Sequence, residues 1–173
     1  MSNTRNTLFT IITVVVIPLL FFIVLELALR VAGMGTHYEY FNTIDIDGQS
    51  YFQENPDFAD QFYPPSLNVG PLQNTFEQTD HDDRLRVYVL GGSAAMGFPH
   101  KNHGVDRLLA TQLNALFPNK HVEVVNTAMT SVNSHVVYEV ANTLPSNSAD
   151  VAVVLMGNNE VVGPYGPGTF NQN

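Results

Sequence analysis

Three short segments carry the residues best suited to chemistry. They are Gly91-Gly92-Ser93-Ala94-Ala95-Met96-Gly97, Asn126-Thr127-Ala128-Met129-Thr130-Ser131 and Gly157-Asn158-Asn159-Glu160. Each follows an apolar run, and together they offer a serine hydroxyl, backbone amides and an asparagine amide. Gly91 and Gly92 permit a tight turn, so Ser93 can stand where a strand ends and a helix begins. A helix start favours developing negative charge. Backbone N–H groups and the Asn159 amide are suited to donate hydrogen bonds to an oxyanion, the amide without carrying charge. A phosphate loop is the rival reading of the first segment. GGSAAMG fits neither GxxxxGK[ST] nor GxGxxG, and no lysine follows to neutralise phosphate.

The elements that must position these loops are legible in the last ninety residues. Arg86 to Leu90 is a short apolar run that meets Gly91. Residues 105–117 place Val105, Leu108, Leu109, Leu113, Leu116 and Phe117 on one helical face, which stops at Pro118-Asn119. Val122 to Val125 reads as a second strand. Val136, Val137, Val140 and Leu144 form a helical stripe ended by Pro145. Val151 to Met156 is a near-continuous apolar run of the kind found in parallel sheets. Strand, helix, strand, helix, strand predicts right-handed crossovers and a doubly wound α/β sheet. In such a sheet the functional groups gather at the C-terminal strand ends, where all three segments fall.

Upstream lies a different composition. Leu8 to Leu25 is an uncharged run of 18 residues that continues through Glu26 to Leu29. Residues 8–29 as a helix reach about 33 Å, a bilayer core's thickness. Pro18 is tolerable there. A cleaved signal peptide is the rival, but the run exceeds the usual apolar length and no A-x-A site follows. Arg5 and Arg30 flank the run, one on each side. The expected arrangement is a short cytoplasmic N-terminus with the remainder periplasmic or extracellular. Glu26 is expected at the interface or paired with Arg30.

Residues 31–83 hold ten acids and nine aromatics, with no Lys or Arg between Arg30 and Arg84. Disordered linkers are poor in aromatics, so this stretch is expected to be a partly ordered collar with short strands, packed on the downstream domain. Pro64-Pro65 and Gly70-Pro71 punctuate it. Asp45-Ile46-Asp47-Gly48 lacks the remaining ligands of an EF-hand and reads as a solvated turn. Asp80, Asp82 and Asp83 read as a solvated approach to the next strand. The boundaries are therefore 1–33 for tail and anchor, 34–83 for the collar and 84–173 for the α/β part.

Composition closes several function classes. The net charge is −9 over 173 residues. Outside residues 1–33 there are five bases and fifteen acids, so the acidity belongs to the rest of the chain. A nucleic-acid partner would need a basic surface. With no cysteine, a disulfide scaffold, a thiolate nucleophile and Cys-ligated metal are all excluded. No cofactor and no metal is expected.

Taken in order, the three loops resemble the SGNH (GDSL-like) hydrolase family. VYVLGGSAAMG stands where that family has its nucleophile, VVNTAMTSVNS where it has its glycine block, and VVLMGNNEVVGPYGPG where it has GxND or GxNE. LELALRVAG at the end of the apolar run is similar to a membrane-anchored bacterial branch. The resemblance covers residues 84–168 well, 8–33 loosely and 34–83 hardly at all. It implies a three-layer αβα, flavodoxin-like domain behind a single transmembrane helix. It also implies an esterase or O-acyltransferase acting on a glycan, lipid or small acyl ester outside the cytoplasm. Ser93 would be the nucleophile, with its own N–H, the Ser131 N–H and Asn159 as oxyanion donors. Gly92 replaces the family's Asp, and Ser131 replaces a glycine.

The family's closing Asp-x-x-His, which supplies the general base, has no counterpart. None of the six histidines has an aspartate three residues before it. His81 follows Asp80 directly, and His100 and His103 form an HxxH in the loop past Ser93, weighed as a base or metal ligand against a plain solvated loop. His135 reads as packing or capping at a helix start. Serine is a poor nucleophile without a base. Three strands and two helices are also half of a doubly wound domain and would leave Val151–Met156 as an apolar edge. The expectation is a C-terminally incomplete family member, with little or no esterase activity in the 173-residue chain. The alternative is a non-catalytic SGNH-like binding or scaffolding module. A third reading is a tethered adhesion protein that uses the collar.

Overall fold

The computed structural model describes residues 2–35, 37–64, 66, 70–79, 82–146 and 148–168. Pro65, Asp80 and His81, named above, lie outside them, as do residues 169–173. The chain divides into two compact units, Met1–His37 and Tyr38–Asn173.

The first unit is one long helical run. Helix α1 (Ser2–Ile11) passes through a π-helical turn at Ile12–Val16 into α2 (Ile17–Val31). Pro18 explains the wide turn. Its ring lacks an N–H and collides with the carbonyl four residues back, and a π turn relieves that contact. Asn6–Val31 spans 26 residues, and its most apolar 18-residue stretch has a mean hydropathy of 3.1, long and apolar enough to cross a membrane. Near its end Arg30 Nε donates to Glu26 at 2.7 Å, one helical turn apart.

The second unit holds two three-stranded sheets. In the first, β1 (Phe41–Ile46), β2 (Gln49–Glu54) and β3 (Thr75–Glu77) run antiparallel in that order. Asp47 and Gly48, both at positive φ, form the two-residue turn between β1 and β2, and the Gly48 N–H is held by Asp45 Oδ1 at 2.9 Å. The Asp-Ile-Asp-Gly run is thus a hairpin turn.

The second sheet is parallel, in the order β5-β4-β6, with β4 (Arg84–Gly91) central, β5 (His121–Asn126) on one side and β6 (Val151–Leu155) on the other. Helix α4 (Val105–Leu116) connects β4 to β5, and α5 (Ser134–Asn142) connects β5 to β6. The chain steps outward in opposite directions from β4, so right-handed crossovers put the two helices on opposite faces. The side-chain packing agrees. Val89 meets Ala95, Ala128 and Leu109 on one face. Tyr88 and Leu90 meet Val136, Val137 and Val140 on the other.

The aromatics of residues 38–79 complete that second face. Tyr40, Phe41, Phe58, Phe62 and Phe76 share one core with Tyr88 and α5. Edge-on ring pairs run through it, Tyr40–Phe58 at 4.9 Å and Phe41–Phe76 at 5.3 Å between centroids. Arg86, 1% exposed, is held there by stacking on Phe76, by an ion pair with Glu123 and by donation to the Glu77 carbonyl. The first half of β4 is therefore fixed against the antiparallel sheet.

Two apolar runs differ from their sequence reading. On α4 only Val105, Leu109, Ala110 and Leu113 are half-buried or better among its apolar residues, while Leu108 and Leu116 are each 70% exposed. The sheet beneath is narrow, so the flank and end of the helical stripe have nothing under them. Along β6, Val151, Val154 and Leu155 are 44–52% exposed, because β6 pairs with β4 alone among the described residues.

Candidate active site at the C-terminal strand ends

β4 delivers Ser93. The strand ends at Gly91, Gly92 caps the short helix α3 (Ser93–Met96), and Ser93 is its first residue. Gly91 has a steric reason to be glycine. A Cβ there would lie 2.0 Å from the Leu155 carbonyl oxygen of β6 and 2.9 Å from the Ala95 Cβ. The turn that carries Ser93 is thus pressed against the end of the neighbouring strand. Ser93 is half-buried, and its hydroxyl makes no hydrogen bond among the described residues. Its carbonyl accepts from the Gly97 and Phe98 N–H groups, which closes the turn.

β5 delivers the second loop. Met129 N–H donates to the Gly91 carbonyl at 3.1 Å, carrying the pairing with β4 past the strand. Asn126 turns inward, its Nδ2 donating to the Ala95 carbonyl at 3.1 Å and to Asp106 at 2.7 Å. It thereby ties α3 to the start of α4. Ser131 sits at φ +61°, the left-handed region that favours glycine. The serine at this position stands on backbone that suits the glycine of the resembled family.

β6 delivers Asn159. Its Nδ2 donates to the Val132 carbonyl at 3.0 Å and lies 3.4 Å from where a Gly92 Cβ would be. That same Cβ position is 3.7 Å from the Val132 oxygen. Gly92, Val132 and Asn159, one from each loop, therefore meet at a single point beside Ser93. One of the two Asn159 N–H bonds is used in fixing the amide. A Cβ at 92 would sit in ordinary van der Waals contact with this amide.

The loop after β6 is anchored to the start of α5. Glu160 accepts from the Ser134 N–H at 3.1 Å and the Ser134 hydroxyl at 2.6 Å, a carboxylate at a helix N-terminus. Asn133 Nδ2 donates to the Pro164 carbonyl at 2.7 Å. A Cβ on Gly163 would come within 2.6 Å of the Asn133 Cβ, which accounts for the first glycine of GPYGPG.

The structure brings Ser93, Ser131 and Asn159 to adjoining loops at one end of the sheet. Among the described residues no base is hydrogen-bonded to Ser93. His100 and His103 are exposed, with ring centroids 6.0 Å apart, and neither bonds to Ser93 among the described residues. His135 stacks edge-on with Tyr165 at 6.2 Å. No group of three or more metal-ligating side chains occurs among the described residues.

Sequence reasoning misses two contributors. Tyr63 donates to the Ser131 carbonyl at 2.5 Å from 68 residues upstream, and burial pushes its phenol up to about 12. Glu160 reads in the sequence as part of a motif block and not as a helix cap. No local signal marks either bond, since both partners are remote in the chain. Comparisons with protein-family models, curated proteins and solved structures return no match.

Proposed function

We propose that this is a membrane-anchored SGNH-type serine hydrolase, an esterase or O-acyltransferase acting on ester bonds outside the cytoplasm. The observation that carries the reading is the meeting of Gly92, Val132 and Asn159 beside Ser93. A second support is the strand order. β5-β4-β6 is 2-1-3 in chain order, the opening of a flavodoxin-like doubly wound sheet, whose ligands bind at the switch point above the first and third strands. Ser93 stands at that point.

In the proposed reaction Ser93 Oγ attacks the acyl carbonyl, and the carbonyl oxygen takes the negative charge. The Ser93 N–H, the Ser131 N–H and the remaining Asn159 N–H stabilise it; losing one such donor costs about 10²–10³ in rate. The alcohol then leaves and the acyl group stays on Ser93 until water or a second hydroxyl takes it. The hydroxyl proton must go to a base within about 3 Å. None of the described histidines holds that position, so the 173-residue chain is expected to turn over little or no ester. The same fact favours the second reading, a binding or scaffolding module that keeps the fold without the base. On the enzyme reading the apolar helix is a signal anchor, N-terminus in the cytoplasm.

The test is ester hydrolysis by the membrane-extracted product of the complete gene, wild type against Ser93→Ala. A loss of at least ~10³-fold supports the esterase. Equal activity in the two proteins sinks it, and binding of acyl glycans without turnover favours the module.

A further inference from the structure

We infer that residues 38–79 act as a positioning clamp on the loop after β5, with Tyr63, Tyr40 and Asn74 each holding one main-chain carbonyl of the backbone that presents Ser131. The inference rests on the reading of Ser131 as an oxyanion donor.

The loop is gripped from two sides. Its N–H groups face the parallel sheet: Thr127 N–H donates to the Val89 carbonyl at 2.8 Å and Met129 N–H to the Gly91 carbonyl at 3.1 Å, while the Ala128 N–H is taken by the Asn126 side chain at 3.1 Å. Its carbonyls face the antiparallel sheet. Asn74 Nδ2 donates to the Asn126 carbonyl at 3.0 Å, Tyr40 Oη to the Thr127 carbonyl at 3.1 Å and Tyr63 Oη to the Ser131 carbonyl at 2.5 Å. Asn126 to Met129 are buried, so the Asn126 and Thr127 carbonyls would otherwise be unsatisfied acceptors. The Ser131 N–H makes no hydrogen bond among the described residues, which leaves it as a donor for a ligand. A residue at positive φ is held only where its surroundings over-determine it, and Tyr63 supplies that constraint at Ser131.

Glu54 organises the clamp. Its carboxyl is fully buried and accepts from the Asn74 N–H at 2.8 Å and Asn74 Nδ2 at 3.0 Å, fixing that amide toward Asn126. Tyr40 Oη lies 3.3 Å from Glu54 and 3.1 Å from the Thr127 carbonyl, and its one proton can serve only one of them. The protonated carboxyl donates to Tyr40 and frees the phenol proton for Thr127. The carboxylate draws that proton to itself. Burial pushes Glu54 up to about 7, and the titratable group facing it among the described residues is Tyr40, itself raised well above the usual phenol range by burial. Segment 38–79 thus sets the geometry of the loop after β5.

Hydrogen exchange on the detergent-solubilised chain decides it. Tyr63→Phe and Tyr40→Phe remove only a hydroxyl and keep the packed ring, so the fold is retained. The clamp predicts exchange about tenfold faster, confined to residues 127–132. Rates there within about twofold of wild type, or an equal rise across all the strands, would overturn it. On the complete gene product, at a folded fraction matched to wild type by circular dichroism, Tyr63→Phe should lower kcat about tenfold with KM unchanged; equal kcat would contradict it. Exchange is read on the chain itself, so it decides the clamp even if Ser93→Ala shows the esterase reading to be wrong.

Discussion

The loops after β5 and β6 both reach Ser93, and they are held by opposite means. The loop after β5 is largely buried and has its carbonyls captured by side chains 52 to 87 residues away in sequence. The loop after β6 is mostly exposed and is held by its own turns, with Gly163 N–H on the Asn159 carbonyl at 2.7 Å, and by the start of α5. The first derives its shape from the tertiary structure and the second largely from its own sequence. On the proposed reading such a site has one donor, near Ser131, whose position depends on a remote sheet. Its other donor, Asn159, is set by a local turn and one bond to Val132.

The contrast breaks first at Gly91, where the two halves touch. Gly91→Ala drives a methyl into the Leu155 carbonyl at 2.0 Å, main chain that can move only with β6. A loss of about 3 kcal/mol is expected in urea unfolding. Exchange should rise more at Val153 and Leu155 than at Val124 and Val125. An even rise along both strands would show that the β5 side is no more firmly held than the β6 side.

Glu54 tests the buried half alone. Its carboxyl ionises near 4.5 when unfolded and about 7 when folded. The native state therefore binds the proton more tightly, and stability is fully present below pH 4.5 and declines as pH rises towards 7. The whole decline is roughly 3 kcal/mol at most. Urea midpoints should fall between pH 4.5 and 7 in the wild type and stay flat in Glu54→Gln, whose amide donates permanently to Tyr40. A wild-type midpoint that rises with pH would refute the assignment.

The smallest effect is at Ser131. Glycine there releases the strain of a positive φ and loses some unfolded-state restriction, for a net gain of about 0.5 kcal/mol. Stability that falls by more than about 1 kcal/mol would show that the serine side chain holds the loop, which the hydrogen bonds do not suggest.

What could be read from the chain divides along the same line. The three parallel strands and two helices are legible because their apolar runs have clear periods and their ends carry Gly, Pro or Asn. Ser93 and Asn159 are legible as candidates because a turn and a motif surround them. The aromatic richness of residues 38–79 signals order but not a three-stranded sheet, since Gln, Ser and Thr interrupt its strands. The Asp47-Gly48 hairpin lies in plain view as an Asp-Gly dipeptide between two β-branched or aromatic stretches. Tyr63 and Asn74 are invisible as site residues, because the bonds that tie them to the loop end on backbone carbonyls, which carry no sequence signature, and Glu54 reaches the loop only through Asn74 and Tyr40. Leu108 and Leu116 mislead for the reverse reason, an apolar period with no surface beneath it.

The central claim is that Ser93 is the nucleophile. The direct measurement is the intact and peptide mass of the complete gene product after brief reaction with an activated acyl ester. The account predicts one acyl group, carried on the peptide that contains Ser93 and absent from Ser93→Ala. An adduct of the same extent in Ser93→Ala, or no adduct in a wild type that hydrolyses the ester, would contradict it.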